Sequence, residues 1–99
     1  MIAVGVSSAT AAIVRELIDA GAEVHSVAPV RPEVAWLASH TDVDLTDPDA
    51  LVAAVERIGA VLHAVHLCAR LERPAREALL DAARAHAPEG RCDVFEVRG

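Results

Sequence analysis

Short apolar runs alternate along this chain with longer stretches of helical period. Ile2, Val4 and Val6 open it as a strand over about 2–6. A helix is expected over about 9–20, with Ile13, Val14, Leu17 and Ile18 on one face and Gly21 as its stop. Ser7 or Ser8 is placed to cap its free N–H groups. A second strand follows at about 23–28. Pro29 and Pro32 bracket a turn, and Pro32 suits the first position of a short helix reaching about 39, anchored by Trp36 and Leu37. A short third strand at about 42–44 leads into Thr46-Asp47-Pro48-Asp49, which combines a cap, an early proline and acids near the positive dipole end. The helix it starts carries Leu51, Val52, Val55 and Ile58 and stops at Gly59. Val61 to Leu67 reads as the fourth strand. The last helix, over about 72–86, has the i,i+4 pairs Glu72–Arg76 and Arg73–Glu77 and turns Leu79, Leu80 and Ala83 inward. Gly90 ends the connection, and Cys92 to Val97 is the fifth strand.

Five strands alternating with four helices predict parallel strands joined by right-handed crossovers. The expected fold is a three-layer, doubly wound α/β domain of Rossmann-like type, spanning residues 1–99, with strand order 3-2-1-4-5. Twenty-one alanines let helices approach the sheet closely and compensate for having only Trp36 and Phe95 as aromatics. Hydrophobic residues at 54% exclude a disordered tail, and a net charge of −6 argues against a nucleic-acid partner. No apolar run is long enough to span a membrane, and the N-terminus lacks the basic region of a signal peptide, so a cytoplasmic location is expected. Cys68 and Cys92 have no zinc or redox spacing. They are expected at opposite ends of neighbouring strands, as free thiols, with no metal site. All nine basic residues are arginine and there is no tyrosine. Schiff bases, phosphate-loop lysines and Tyr–Lys proton relays are therefore excluded for this chain.

Gly5-Val6-Ser7-Ser8-Ala9-Thr10-Ala11, Gly21-Ala22-Glu23-Val24 and Asp44-Leu45-Thr46 occur in this order along the chain. Together they resemble the N-terminal half of the short-chain dehydrogenase/reductase superfamily. The resemblance covers nearly the whole chain. That family's first turn is Gly-x-x-x-Gly-x-Gly, and here alanines stand in the last two glycine places. Its Asn-Asn-Ala-Gly falls on Leu67-Cys68-Ala69-Arg70, where only the alanine matches. The family's catalytic Tyr and Lys are missing, so its reductase mechanism cannot operate on this chain alone. The chain is also similar to the structural, non-catalytic subdomain of polyketide synthase ketoreductases. The similar parts are Val61 to Arg70, the Ala/Leu-rich helix after it, and the ending Phe95-Glu96-Val97-Arg98-Gly99. That resemblance implies a supporting module in polyketide-type biosynthesis.

Candidate chemistry concentrates at the expected C-terminal ends of the strands. Gly5, Ser7, Ser8 and Thr10 form the turn before the first helix, where exposed N–H groups and a positive dipole suit an anion. Ala9 and Ala11 weaken it as a dinucleotide turn, because glycine there admits the pyrophosphate and packs the helix closely. At the end of the second strand Arg31 follows Ala28, so any bound dinucleotide is expected to be NADP. Asp44 takes the adenine-contact place of the resemblance. It equally suits a plain strand end before a helix cap. His63 and His66 fall on opposite faces of one strand, so they cannot share a metal. His66 and Cys68 lie near the switch point, where a base or nucleophile would act. The alternative for His66 is a partly buried imidazole bonded to backbone. His25, His40 and His86 are dispersed along the chain and carry no pattern. The last helix has a charged side suited to solvent or to a partner surface.

Three functions follow as expectations. The first is a degenerate dehydrogenase-like module without a cofactor, acting as a homo-oligomer or beside a catalytic partner protein. The second is an NADP(H)- or small-molecule-binding accessory protein. The third is a small enzyme of another class using His66 or Cys68.

Overall fold

The computed structural model describes residues 1–59 and 62–97. The strands are β1 (Ile2–Val4), β2 (His25–Ala28), β3 (Ser39–Asp42), β4 (Ala64–Leu67) and β5 (Asp93–Glu96). The helices are α1 (Ala11–Asp19), α2 (Pro48–Ile58) and α3 (Arg73–Ala85), with a short 3-10 turn at Pro88–Gly90. All strand pairs are parallel and the sheet order is β3-β2-β1-β4-β5, as the alternating pattern predicts. β1, β2 and β4 are buried along their length, whereas the edge strands β3 and β5 are partly open. Central strands of a doubly wound sheet are covered on both faces, so their apolar runs are nearly continuous.

Two cores lie on the two faces of the sheet. One packs Ile2, Val4, Val27, Val65 and Leu67 against α2 and α3 through Leu51, Val55, Leu79 and Ala83. The other packs Ala3 and Val24 against Ala11 and Val14 of α1 and against Val34.

The start of α2 forms as its sequence dictates. Asp47 is the N-cap, accepting from the N–H groups of Asp49 and Ala50, and Pro48 begins the helix. Gly59 closes it in the left-handed conformation, with φ 62°.

Several expectations are corrected. Among the described residues there are three α-helices rather than four, because residues 29–38 form an irregular connection. Pro29 and Pro32 remove two backbone donors there, and Trp36 takes φ 67°, which breaks helical continuation. Trp36 anchors nothing: it is 88% exposed, while Leu37 packs on the smaller core. The third strand begins at Ser39, three residues earlier than expected, because the N–H of Ala38 already donates to the Val24 carbonyl. β1, β4 and β5 are shorter than their apolar runs, and the expected start of the fourth strand, Val61, lies outside the described residues. The N-cap of α1 is Thr10, not Ser7 or Ser8, and no side chain caps it. Arg73–Glu77 forms at 2.9 Å, but Arg76 turns from Glu72 to Glu96 on β5, at 3.2 Å.

Candidate functional site

β1 and β4 are neighbours whose crossovers leave in opposite directions, and the crevice of this fold opens above that switch point. Two backbone bonds extend the ladder into it. Gly5 N–H donates to the Val27 carbonyl and Cys68 N–H to the Val4 carbonyl, both at 2.8 Å. Gly5 is required here on two counts. Its φ is +71°, and a Cβ added to it would stand 2.3 Å from the Cβ of Ala69. The first glycine of the turn and the alanine after β4 therefore belong to one close contact.

The crevice has a volume of about 750 Å³. Its walls bring together Ser7, Thr10, Cys68, Arg70, Arg76 and Glu96. The polar groups of the turn face inward. Ser7 N–H donates to Thr10 Oγ1 at 2.9 Å, and the N–H groups of Thr10 and Ala11 donate to the Ser7 carbonyl. Arg70 is exposed, whereas Arg76 is engaged with Glu96.

The remaining candidates of the sequence do not line this crevice. Ser8 and Arg31 are exposed, the latter in the irregular connection. Asp44 spends one carboxylate oxygen on Thr46, accepting from its hydroxyl at 2.7 Å and its N–H at 2.9 Å. The hydroxyl first, then the N–H, holds the Asp44 carboxyl below its ordinary value. His66 is 8% exposed and stacks on Phe95, ring centroids 4.8 Å apart, with Nδ1 unpartnered. Burial lowers its pKa from 6.5, and the Met1 ammonium adds to this. Cys68 lines the crevice, yet burial pushes its thiol up, outweighing the Thr10 hydroxyl. Its Sγ contacts the His66 carbonyl, not the imidazole. A nucleophilic thiol needs the opposite shift and a base beside it.

The two cysteines sit at opposite ends of the β4–β5 pair. Cys68 follows Leu67, which pairs with Glu96, and Cys92 precedes Asp93, which pairs with Ala64. Both are free thiols. Among the described residues, no group of three or more His, Cys, Asp or Glu is placed to hold a metal ion. No helix among them is long and apolar enough to cross a membrane.

A second polar constellation lies between β2 and β3, from residues that looked dispersed in the sequence. His25 Nδ1 is 2.8 Å from Ser39 Oγ, and its Nε2 is 3.1 Å from Glu23 Oε1. On the other sheet face His40 Nδ1 is 3.0 Å from Ser26 Oγ, and its Nε2 is 2.7 Å from Asp42 Oδ1. The register pairs His25 with Ser39 and Ser26 with His40, so each histidine meets a serine across the strands. The sequence signal is a mirrored one: Glu-Val-His-Ser at 23–26 against Ser-His-Thr-Asp at 39–42.

No family model matches the chain, and no curated protein and no solved structure matches it either.

Proposed function

We propose that this chain is a dehydrogenase-like module of the cytoplasm, without reductase chemistry, that works by docking onto a second copy of itself. One observation carries the reading. Trp36 stands 88% exposed on the connection that replaces the second helix on its face of the sheet. Its backbone adopts φ 67°, a conformation disfavoured for a bulky residue by roughly 1–2 kcal/mol. Val30, on the same connection, is 75% exposed. Aromatic side chains held out on a small domain are typical of interface anchors. A thin-cored domain also gains stability by association. The likeness to the ketoreductase structural subdomain extends this proposal to polyketide-type biosynthesis, with a catalytic partner chain as the alternative occupant.

The chain has one tryptophan and no tyrosine, so its intrinsic fluorescence reports on Trp36 alone. Light scattering after gel filtration is expected to give a dimer, with emission shifted to the blue relative to dilute protein. Trp36→Ala is expected to give a monomer. A wild-type monomer at high micromolar concentration with unshifted emission sinks the self-docking reading.

A second reading rests on the crevice. Ser7, Thr10 and the exposed Arg70 offer an anion-compatible wall, with Arg76 held by Glu96 beside them, and NADP(H) is the ligand that Arg31, in the connection after β2, would favour. A thermal-melt titration with NAD, NADH, NADP and NADPH tests it. At 100 times its dissociation constant a ligand stabilises by about 2.7 kcal/mol. In a domain of this size that raises the melting temperature on the order of 10 °C. No shift with any of the four removes this reading.

A further inference from the structure

We propose that Ser39, His25 and Glu23 form a nucleophile–base–acid relay, and that Ser39 is acylated by small activated esters or thioesters. The inference does not rest on the docking reading, and it uses residues of β2 and β3 at that edge of the sheet. Its geometry is that of an activated serine. Ser39 Oγ stands 2.8 Å from His25 Nδ1, and the far nitrogen of the same ring stands 3.1 Å from Glu23 Oε1. With Nε2 protonated toward Glu23, Nδ1 is free to accept the serine proton.

The two Ser–His–acid sets differ in access. Ser26, in the second set, is fully buried, so its hydroxyl meets no substrate and serves to hold β3 in register. Ser39 is half-buried on an edge strand and lines a groove of about 490 Å³ together with His25 and Arg57. An oxyanion donor is also at hand. Ala38 N–H donates inward to Val24, so by strand alternation the N–H of Ser39 points to the open edge of the sheet. A backbone N–H on the nucleophile's own residue is one of the donors that stabilise a tetrahedral oxyanion. The Arg57 cation selects an acyl or leaving group carrying negative charge.

The step balances without a cofactor. Ser39 Oγ bonds to the ester carbonyl carbon and its proton passes to His25 Nδ1. The carbon–oxygen (or carbon–sulfur) bond to the leaving group then breaks, and the leaving group takes that proton. Water repeats the sequence, releasing the acid and restoring the serine. Glu23 is a positioning residue: it holds the ring and its tautomer and does not touch substrate.

The test is labelling with a fluorophosphonate probe, read by intact mass and peptide mapping, alongside hydrolysis of 4-nitrophenyl acetate. With no tyrosine and no lysine in the chain, side adducts at those residues do not arise. The expected result is one adduct on Ser39, with hydrolysis lost in Ser39→Ala at an unchanged melting temperature. His25→Asn is expected to slow labelling at least a hundredfold. Glu23→Gln is expected to slow it about tenfold, with Glu23→Asp recovering part of the loss. If His25→Asn fails to fold, the Glu23 pair carries the test, because that side chain is 72% exposed. The proposal is overturned by no adduct on Ser39, by equal turnover in Ser39→Ala, or by labelling that a folded His25→Asn or Glu23→Gln chain retains at the wild-type rate.

Discussion

Among the described residues the sheet carries a core of fourteen buried side chains under α2 and α3, whereas under α1 it carries six. The larger core holds the leucines Leu51, Leu62, Leu67, Leu79 and Leu80. The smaller is built from Ala3, Val6, Ala11, Val14, Val24 and Val34. The large exposed apolar side chains, Val30, Trp36 and Phe95, belong to the lightly covered side: two lie on its irregular connection and Phe95 shares the strand face of Ala3 and His66. The inequality teaches how a 99-residue chain with two aromatics divides its labour. One face concentrates burial, and since apolar area removed from water contributes about 25 cal/mol per Å², that face is expected to supply most of the stability. The other face is free to carry loops, a turn and exposed contacts.

The sharpest way to break this comparison is truncation on each side. Leu79 is fully buried in the larger core, and Leu79→Ala is expected to cost about 3–5 kcal/mol through lost transfer energy and a residual cavity. Val14 is equally buried in the smaller core, and Val14→Ala is expected to cost roughly 2 kcal/mol. Urea unfolding of both variants checks the pair. Equal losses would mean that the two faces share the stability, contrary to their cores.

Gly5→Ala comes next, since it strikes where the cores meet the crevice. The added Cβ would meet Ala69 at 2.3 Å and Leu45 at 3.2 Å, on a backbone at φ +71°. Strain plus overpacking predicts a loss of about 2–4 kcal/mol. A paired Gly5→Ala/Ala69→Gly chain is expected to recover the overpacking part and not the backbone part. Full recovery in the double variant would show that φ at this turn imposes no cost.

This glycine also marks how far the fold was legible. Strand order and parallel pairing follow from the alternation of apolar runs with helical periods, and the α2 start and stop follow from Asp47, Pro48 and Gly59. The connection at 29–38 looks helical in the sequence because Pro32 suits a first helical position and Trp36 and Leu37 follow it as apolar anchors. Tertiary packing of Val34 on α1's core, and early pairing of Ala38 with Val24, override that local pattern. The same local pattern conceals the histidine–serine relays. With the third strand placed at 42–44, Ser39 and His40 fall outside the sheet, and no register brings them to His25 and Ser26. Of the crevice, Ser7, Thr10 and Cys68 were legible from their place after β1 and β4. Arg76 and Glu96 were not, because their 3.2 Å contact joins residues twenty apart, on α3 and β5.

Trp36→Gly sharpens the comparison on the lightly covered face. Glycine accepts φ 67° without steric cost, so the substitution is expected to stabilise dilute protein by roughly 0.5–1 kcal/mol, net of glycine's larger unfolded-state entropy. If a second copy docks on Trp36, the gain in melting temperature shrinks or reverses as protein concentration rises. A gain that is independent of concentration separates backbone strain from docking and counts against the latter.

The smallest expected effect is the pH response of His66, which lies on the same face beneath Phe95. Burial holds its folded pKa below the ordinary 6.5, so the unfolded chain takes up a proton first as pH falls. Its contribution is fully present above about pH 6.5 and is lost between that value and the lower folded pKa. Asp44 acts in a separate, more acidic window, because its carboxyl is held below 3.8 and it favours folding until protonated. Comparing melting temperatures at about pH 7.5 and about pH 5.5 isolates the histidine from that carboxyl. The wild type is expected to lose more over this interval than His66→Leu, which has nothing to titrate at that position. An identical loss in both chains would take the response away from His66 and leave the Phe95–His66 stack as packing alone.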